Sequence, residues 1–214
     1  MKHDPRSLNY KTDQILDSTV VAQGLKTSIH KRFCAPLNQG QIGSCVGNAE
    51  VGCLMTAPLA GKRVYTEVTA ITLYSQATHL DPSQGTYPGA DPGSNAVDVC
   101  TAAMKDGYIK AFHTAVGLND TLTTLMQYPI MIGANWYDSF DNPDPKGRIS
   151  ISPDAAVRGG HEWELSGIVD PTLQLCKAWN SWGSDWGNGG AFYLTFETLE
   201  RLLAEQGDAT IPVV

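Results

Sequence analysis

The stretch that most constrains the fold of this 214-residue chain is residues 38–49, where a glycine-broken loop leads directly into Cys45. After Cys45, small and apolar residues recur at three- and four-residue spacings, which predicts a helix beginning at the cysteine. The free N–H groups and the dipole at a helix start favour a thiolate, the reactive form of cysteine. Gln39 precedes it in the loop, where its side-chain amide could approach the sulfur and, with the Cys45 N–H, form an oxyanion hole. The stretch therefore predicts a nucleophilic cysteine.

Two later stretches supply the groups that such a nucleophile requires. A nucleophilic cysteine needs a base, and it needs a group that orients the base. His161 follows two glycines at the head of a strand-like run, and Asn180 lies inside a turn rich in tryptophan and glycine, residues 177–190. We therefore take His161 as the base and Asn180 as the residue that orients its ring.

Together these stretches resemble the papain-like cysteine proteases. Gln-Gly-x-x-Gly-Ser-Cys, Gly-His and Asn-Ser-Trp-Gly-x-x-Trp-Gly occur in that family's order, between residues 38 and 190. The resemblance is nearest to compact bacterial and bacteriophage members that lack a large propeptide. It implies an α+β, two-lobed fold, with an N-terminal helical lobe, a C-terminal antiparallel β lobe or barrel, and the active-site cleft between them.

The resemblance also implies substrate-binding positions along the cleft. These positions are Gly93, Ser94, Gly160 and Trp182. In the resembled family, glycines in the loop before the third helix pair with the substrate backbone, but Gly93 and Ser94 could equally form a plain helix cap. Trp182 and Trp186 are expected to fill the core and to shield the hydrogen bond between the catalytic asparagine and histidine from water.

Three positions depart from the family pattern. Ile42 stands where the family usually has a cysteine, which removes a disulfide anchor near the active site. Val46 replaces an aromatic residue after the nucleophile. His161 follows Cys45 by fewer than the about 130–150 residues expected in the family. We interpret the shorter spacing as a trimmed middle region rather than a different fold.

No metal or cofactor is expected. The pair His161-Glu162 is not followed by the second histidine of a zinc-binding helix, because residue 165 is leucine. The aspartates at positions 81, 91, 98 and 106 lack the alternating spacing of a calcium loop. The predicted chemistry therefore depends on side chains and backbone alone.

The net charge and the apolar content of the chain limit the classes of partner that it is expected to bind. The formal net charge of −7 argues against nucleic acid, because phosphate binding requires a basic patch. No apolar stretch reaches the ~18–20 residues of a membrane span, so no membrane partner is expected. We expect a peptide or protein substrate. Residues 1–6 are not followed by the apolar core of a signal peptide, so we expect synthesis in the cytoplasm, and association with the virus particle if the chain is of phage origin.

The cysteines are expected to be reduced. Their number, five, is odd, and none forms a Cys-x-x-Cys pair. Cys53, Cys100 and Cys176 are expected to be buried as small hydrophobic residues. Cys34 could pair with another cysteine that the sequence does not identify.

The periodicity predicts helices first and strands later, which is typical of an α+β domain. Helices are predicted at about 45–56, 66–81, 94–107, 121–126 and 197–206, and strands at 130–136, 148–151, 161–169, 173–179 and 191–196. Val68 is expected on the buried side of the second helix. Either Gly93 or Ser94 is expected to cap the third.

We expect one papain-like peptidase domain over residues 1–214. Its helical lobe would span about 38–112 and its β lobe about 113–214, with an N-terminal arm, residues 1–37, packing across the β lobe. The arm is too short for an independently folded inhibitory domain. We therefore expect the chain to fold without a propeptide, with residues 1–20 in or near the cleft.

The sequence favours a cysteine peptidase that hydrolyses peptide bonds through a thioester acyl-enzyme. Two alternatives remain open. One is another cysteine-dependent acyl-transfer enzyme, either a peptidoglycan peptidase or a transpeptidase. Zymography that compares activity on cell walls with activity on casein would reveal it. The other is a structural or binding protein of a virus particle on an inactive protease fold. All four catalytic positions are filled, which counts against the inactive fold.

Overall fold

The computed structural model describes residues 4–12, 15–17 and 24–214. Within these residues, five α-helices and a seven-stranded sheet form the body of the protein. The helices are α1 (Cys45–Leu54), α2 (Glu67–Leu80), α3 (Ala96–Lys105), α4 (Gly117–Leu125) and α5 (Phe196–Ala204). The strands are β1 (Ser28–Ile29), β2 (Ala111–Thr114), β3 (Ile130–Tyr137), β4 (Val157–Asp170), β5 (Leu175–Trp179), β6 (Ala191–Thr195) and β7 (Asp208–Val213).

Strand β4 is the centre of the sheet. The strand order is β2-β7-β3-β4-β5-β6, with β1 added to β4, and each of these pairs is antiparallel. The register places His161 of β4 opposite Ala134 of β3. Eight consecutive residues of β4, 161–168, are buried, so both faces of this strand are covered.

Two hydrophobic cores flank the interface between helices and sheet. One lies among α1, α2 and α3 and includes Leu54, Leu73 and Tyr74. The other lies over the sheet and is covered by α4 and α5, with Trp163 and Phe192 at its centre. This combination of helical and antiparallel sheet layers confirms the predicted two-lobed α+β class.

Helix α1 lies between the two cores and contacts both. A Cβ at Gly47 would collide with the carbonyl oxygen of Ala70 on α2, so glycine permits the close approach of these two helices. The prediction that this helix begins at Cys45 is correct, and it ends at Leu54, two residues before the predicted end. Nine of its residues are buried, so the helix positions its first residue rigidly.

The C-terminal part of the chain corrects one prediction. The last element predicted along the chain is the helix at 197–206, but the chain continues from α5 into β7, which pairs with both β2 and β3. Pro212 lies in this strand, and a proline argues against an interior strand in a sequence analysis. The predicted strand at 148–151 is also wrong, because Arg148 makes only an isolated bridge to Tyr193.

Two helix details also differ from the prediction. Val68 is 74% exposed, and α2 instead buries Ala70, Leu73 and Tyr74. The cap of α3 is Asn95, whose side-chain oxygen accepts the N–H of Asp98 at 3.0 Å. Because asparagine is among the strongest N-cap residues, it takes the position expected for Gly93 or Ser94.

The described parts of the arm contact both cores. Thr12 donates to Asp120 of α4 at 2.7 Å, and Arg6 pairs with Asp98 of α3 at 2.9 Å. Strand β1 pairs with the far end of β4. Residues 1–3, 13, 14 and 18–23 of the arm lie outside the described residues. None of the helices in the described part of the chain combines the length and hydropathy needed to cross a bilayer.

Candidate active site

The candidate nucleophile, Cys45, is the first residue of α1. Ser44 precedes the helix, but its side chain does not cap the first turn and instead accepts a hydrogen bond from Asn48 at 3.1 Å. The N–H groups of the first turn are therefore not occupied by a capping side chain. The backbone N–H groups of Glu162 and Val46 form hydrogen bonds to the Cys45 sulfur. Because Glu162 belongs to β4, the sulfur lies beside this strand.

His161 and Asn180 are in direct contact. Nε2 of His161 lies 2.8 Å from Oδ1 of Asn180, and both side chains are buried. Because a carboxamide oxygen only accepts hydrogen bonds, this contact assigns the proton to Nε2 of the neutral ring. The Ser181 N–H donates to the same oxygen at 2.8 Å and fixes its direction. Nδ1 of His161 is then the unprotonated nitrogen of the neutral ring.

Three tryptophan rings contact this histidine, those of Trp136, Trp163 and Trp182, and the ring of Trp186 packs against Trp136 and Trp182. We call these four tryptophans the aromatic shell. The ring centroid of Trp136 lies 4.8 Å from that of His161, and that of Trp182 lies at 5.2 Å. The indole N–H groups of Trp136 and Trp186 both donate to Asp141, at 3.0 and 2.9 Å. The rings are therefore held in place, and they keep water from the hydrogen bond between histidine and asparagine.

Gln39 is fixed at both ends of its side-chain amide. Its Nε2 donates to the carbonyl oxygen of Ile42 at 2.8 Å, and its Oε1 accepts the hydroxyl of Ser181 at 2.6 Å. Its backbone N–H also donates to the Ser181 carbonyl at 2.8 Å. These bonds connect the loop before α1, residues 38–44, which we call the nucleophile loop, to the residue after Asn180.

Burial favours the neutral form of both catalytic candidates. Burial raises the pKa of the Cys45 thiol to about 12, and the Glu162 charge adds to this rise. Burial also lowers the pKa of His161 to about 4, while the hydrogen bond to Asn180 acts in the opposite direction. The helix start favours a thiolate, and desolvation of the sulfur acts in the opposite direction. The thiolate expected at the helix start stays a prediction.

The predicted substrate-binding positions lie in three places. Gly93 has a φ of 75°, and its N–H donates to the hydroxyl of Tyr74 at 3.1 Å. Ser94 is half-buried next to it. Gly160 is exposed and pairs with Asn135 directly before His161, and Trp182 belongs to the aromatic shell. Their roles toward substrate remain predictions.

The structure adds residues that no motif indicated. Trp136 lies within a predicted strand, but its contact with His161 depends on the register of β3 and β4. Ser181 was part of the asparagine motif, yet its bond to Gln39 joins segments that are far apart in sequence. Asp91 accepts the backbone N–H of Gly43 in the nucleophile loop. No local pattern could have identified these three contacts.

The described residues hold no group of three metal-ligating side chains. All five cysteines are free, so Cys34 forms no disulfide. Cys53, Cys100 and Cys176 are buried, as expected. Candidate chemistry at this site therefore rests on Cys45, whose side chain is partly exposed.

Comparison with known proteins identifies the fold. No protein-family model matches the sequence. No curated protein matches it either. Xylellain, a cysteine protease from Xylella fastidiosa, has a similar structure, with a TM-score of 0.79 at 17% sequence identity over 99% of this chain and 94% of that chain.

Two further structures agree with this result. Digestive procathepsin L 3 of the Tenebrio molitor larval midgut gives a TM-score of 0.63 at 15% identity, over 96% of this chain and 76% of that chain. A Carica candamarcensis cysteine protease in complex with E-64 gives 0.59 at 15% identity, over 85% and 93%. The predicted papain-like fold is confirmed by these matches.

Proposed function

We propose that this chain is a cysteine peptidase that hydrolyses peptide bonds with Cys45 as nucleophile, His161 as base and Asn180 as the residue that orients the ring. One observation carries the proposal. The hydrogen bond between His161 Nε2 and Asn180 Oδ1, 2.8 Å long, is buried, and the backbone N–H of Glu162, the residue after His161, bonds to the Cys45 sulfur. The bond to Asn180 leaves Nδ1 as the proton acceptor, and the surrounding fold is papain-like.

Acylation begins with a proton transfer. The Cys45 proton moves to Nδ1 of His161 as the sulfur attacks the carbonyl carbon of the substrate amide. The tetrahedral intermediate then collapses, and the bond between carbon and nitrogen breaks. The leaving amine takes the proton from Nδ1, and a thioester to Cys45 remains.

Deacylation repeats these steps with water. The neutral imidazole of His161 takes a proton from a water molecule, which attacks the thioester carbon. The bond between carbon and sulfur breaks, and the sulfur takes the proton back from the ring. A carboxylic acid leaves and the thiol is restored, so no external oxidant or reductant is needed.

Gln39 and the Cys45 N–H would stabilise the oxyanion in both steps. The hydrogen bonds of Gln39 to Ile42 and Ser181 hold its amide before substrate arrives. A donor fixed in advance stabilises developing charge without reorganising, and removing one such donor typically lowers kcat by about 10²–10³-fold. The aromatic shell would strengthen these interactions by excluding water from the His161 side of the site.

The substrate we propose is a peptide or protein segment. It would lie extended along the cleft, with its backbone near Gly93 on one side and Gly160 on the other. Gly160 is exposed and directly precedes His161, and Gly93 is partly exposed and bonded through its N–H to Tyr74. A peptide-library digest measures which substrate side chains the cleft prefers.

A peptide-library digest with purified protein tests the proposal. We expect cleavage by the wild type and none by Cys45→Ala, with the variant folded by circular dichroism. A control on intact cell walls separates a peptidoglycan peptidase, which would clear the wall and leave the library uncut. Equal cleavage by Cys45→Ala, or none by a wild type with a titratable thiol, would contradict a peptidase.

A further inference from the structure

Asp91 lies in the loop before α3 and belongs to none of the sequence motifs. Its carboxylate accepts the backbone N–H of Gly43, at 3.1 Å to Oδ1 and 2.9 Å to Oδ2. The hydroxyl of Tyr74 donates to the same Oδ1. Tyr74 also accepts the N–H of Gly93 at 3.1 Å. One carboxylate and one phenol therefore connect the nucleophile loop to the loop that ends at α3.

The geometry of this connection is fixed on both sides. A Cβ at Gly43 would lie 2.8 Å from Asp91 Oδ1, so only glycine lets the carboxylate approach this close. Tyr74 is fully buried in the helical core, which fixes the direction of its hydroxyl. Burial raises the pKa of Tyr74, and the hydrogen bond to Asp91 adds to this rise. The hydroxyl therefore keeps its proton and donates a hydrogen bond to Asp91.

No covalent bond holds this loop. All five cysteines are free, and Ile42 stands where the resembled family usually has a disulfide cysteine. Gly43 directly follows Ile42 and is followed by Ser44, after which α1 begins. The direction of the Gly43 peptide therefore determines how the chain enters the helix and where the first N–H groups point.

We propose that Asp91 is a positioning residue for the nucleophile, holding the Gly43 peptide and, through Tyr74, tying it to Gly93. This inference rests on the proposed function. The Asp91 carboxylate thus anchors the nucleophile loop, as a disulfide would in the resembled family. It keeps the oxyanion-hole N–H of Cys45 and the backbone of Gly93 in one fixed relation, so that a bound substrate carbonyl meets the sulfur.

Three substitutions test the proposal: Asp91→Ala, Asp91→Asn and Tyr74→Phe. The matched control is Asp170→Ala, because Asp170 also accepts backbone N–H groups, those of Thr172 and Leu173, but does so in the turn between β4 and β5. Each variant is measured for kcat and KM on a library peptide and for the rate of Cys45 alkylation by iodoacetamide. The temperature is one at which circular dichroism shows the variant folded.

We expect Asp91→Ala to lower kcat and the alkylation rate by about 10- to 100-fold, because small displacements of reacting groups have effects of this size. Asp91→Asn keeps an oxygen for the Gly43 N–H and should recover part of the loss. Tyr74→Phe should lie between Asp91→Asn and Asp91→Ala. Asp170→Ala should match the wild type in both rates, even where it lowers thermal stability.

A folded Asp91→Ala with wild-type kcat and alkylation rate would overturn the proposal and leave Asp91 a structural residue only. If Asp91→Ala does not fold, Asp91→Asn decides, with a fall of about threefold in alkylation expected and an unchanged rate contradicting. The alkylation rate does not depend on peptide cleavage. A wild type that cleaves no peptide, together with slowed alkylation in Asp91→Ala, would therefore refute the peptidase while retaining the positioning role.

Discussion

The two faces of strand β4 are both buried but differ in chemistry. On one face, His161 and Trp163 lie in the aromatic shell. On the other, Glu162 and Glu164 lie toward α1 and its C-terminal end, where Glu164 accepts the hydroxyl of Thr56 at 2.6 Å. Alternation of side chains along a strand places sequence neighbours on opposite faces. One strand thus presents a base to an apolar surface and two carboxyls to a polar one.

The two carboxyls of the polar face differ from each other. Glu164 pairs with the buried guanidinium of Arg32. Both oxygens of Glu162 are buried without a hydrogen-bond partner, and its charged neighbours are the acids Glu50 and Asp208. Burial raises the pKa of both carboxyls, but only at Glu164 does a cation oppose the rise. Glu164 thus belongs to a buried ion pair, whereas Glu162 is a buried carboxyl with no cation partner, in which burial favours the protonated form.

The comparison shows that burial favours neutral groups on both faces. It lowers the pKa of His161 to about 4 and raises that of Glu162 well above the usual value of a carboxyl. This matters for the nucleophile, because the charge of Glu162 contributes to the raised pKa of the Cys45 thiol.

The largest expected effect comes from the aromatic face. His161→Ala should lower kcat/KM by about 10³-fold or more, because the base is lost. Asn180→Ala should lower it less, because asparagine carries no charge and only orients the ring. Steady-state kinetics with circular dichroism as the folding control measures both. An equal and total loss in folded Asn180→Ala would show that the asparagine does more than orient the ring.

A stability effect of the next size comes from the ion pair on the polar face. Arg32→Ala leaves the buried Glu164 carboxylate uncompensated and should destabilise the protein by about 3–5 kcal/mol. The matched control is Arg158→Ala, which breaks an exposed pair with Asp141 and should cost about 0–1 kcal/mol. Urea denaturation measures both. Equal destabilisation by the two variants would show that the ion pair of Arg32 and Glu164 contributes no more to stability than an exposed pair.

A smaller effect is the pH dependence of stability. Burial raises the pKa of Glu50 to about 8 and that of Asp208 to about 7. Because these folded-state values exceed the unfolded ones, the stabilisation is complete below about pH 4 and is lost as the pH rises through 7 and 8. The free energy of unfolding should fall between pH 6.5 and 8, by about 1.4 kcal/mol per pH unit for each carboxyl that keeps its proton.

Two variants check this slope. Glu50→Gln should flatten it, because glutamine has no proton to lose. Glu205→Gln is the control, because hydrogen bonds from Tyr137 and Arg201 lower the Glu205 pKa and it is ionised throughout this range. His161 acts oppositely, but only below about pH 6.5, so it does not affect the window. A slope unchanged in Glu50→Gln would show that Glu50 is ionised in the folded protein.

The smallest effect is expected at Glu162 itself. Glu162→Gln replaces a neutral acid by a neutral amide of the same shape, so kcat/KM should stay within about threefold of the wild type. Its pH profile should also keep the acid limb, because that limb belongs to His161. A large gain in activity at pH 7 would mean that Glu162 is ionised and suppresses the thiolate.

The features that depend on local residue patterns could be predicted from the sequence. The helix beginning at Cys45 and the strand containing His161 follow from residue spacing, and the catalytic candidates follow from motifs. Strand β7 escaped prediction because it is covered on both faces and contains Pro212, so it shows neither clean alternation nor an ordinary strand composition. Val68 was wrongly placed on the buried side because it is apolar, whereas its side chain in the first turn of α2 is exposed.

The remaining site contacts are long-range and leave no local signal. Asp91 contacts Gly43, and Arg32 contacts Glu164, across 48 and 132 positions in the chain. Whether a buried carboxyl has a partner depends on such contacts alone. Glu162 and Glu164 are identical in the sequence and two residues apart, yet only the fold distinguishes the carboxyl without a cation partner from the ion pair.

The most direct test of the account is the rate at which iodoacetamide labels each cysteine at pH 6, followed by peptide mass spectrometry. At this pH His161 is neutral, and its proposed role is to take the Cys45 proton as the sulfur attacks, so labelling of Cys45 does not require a low thiol pKa. We predict that Cys45 is labelled first, and that His161→Ala removes this advantage. Preferential labelling of Cys34, or Cys45 labelling that is unchanged in His161→Ala, would contradict the proposed catalytic pair.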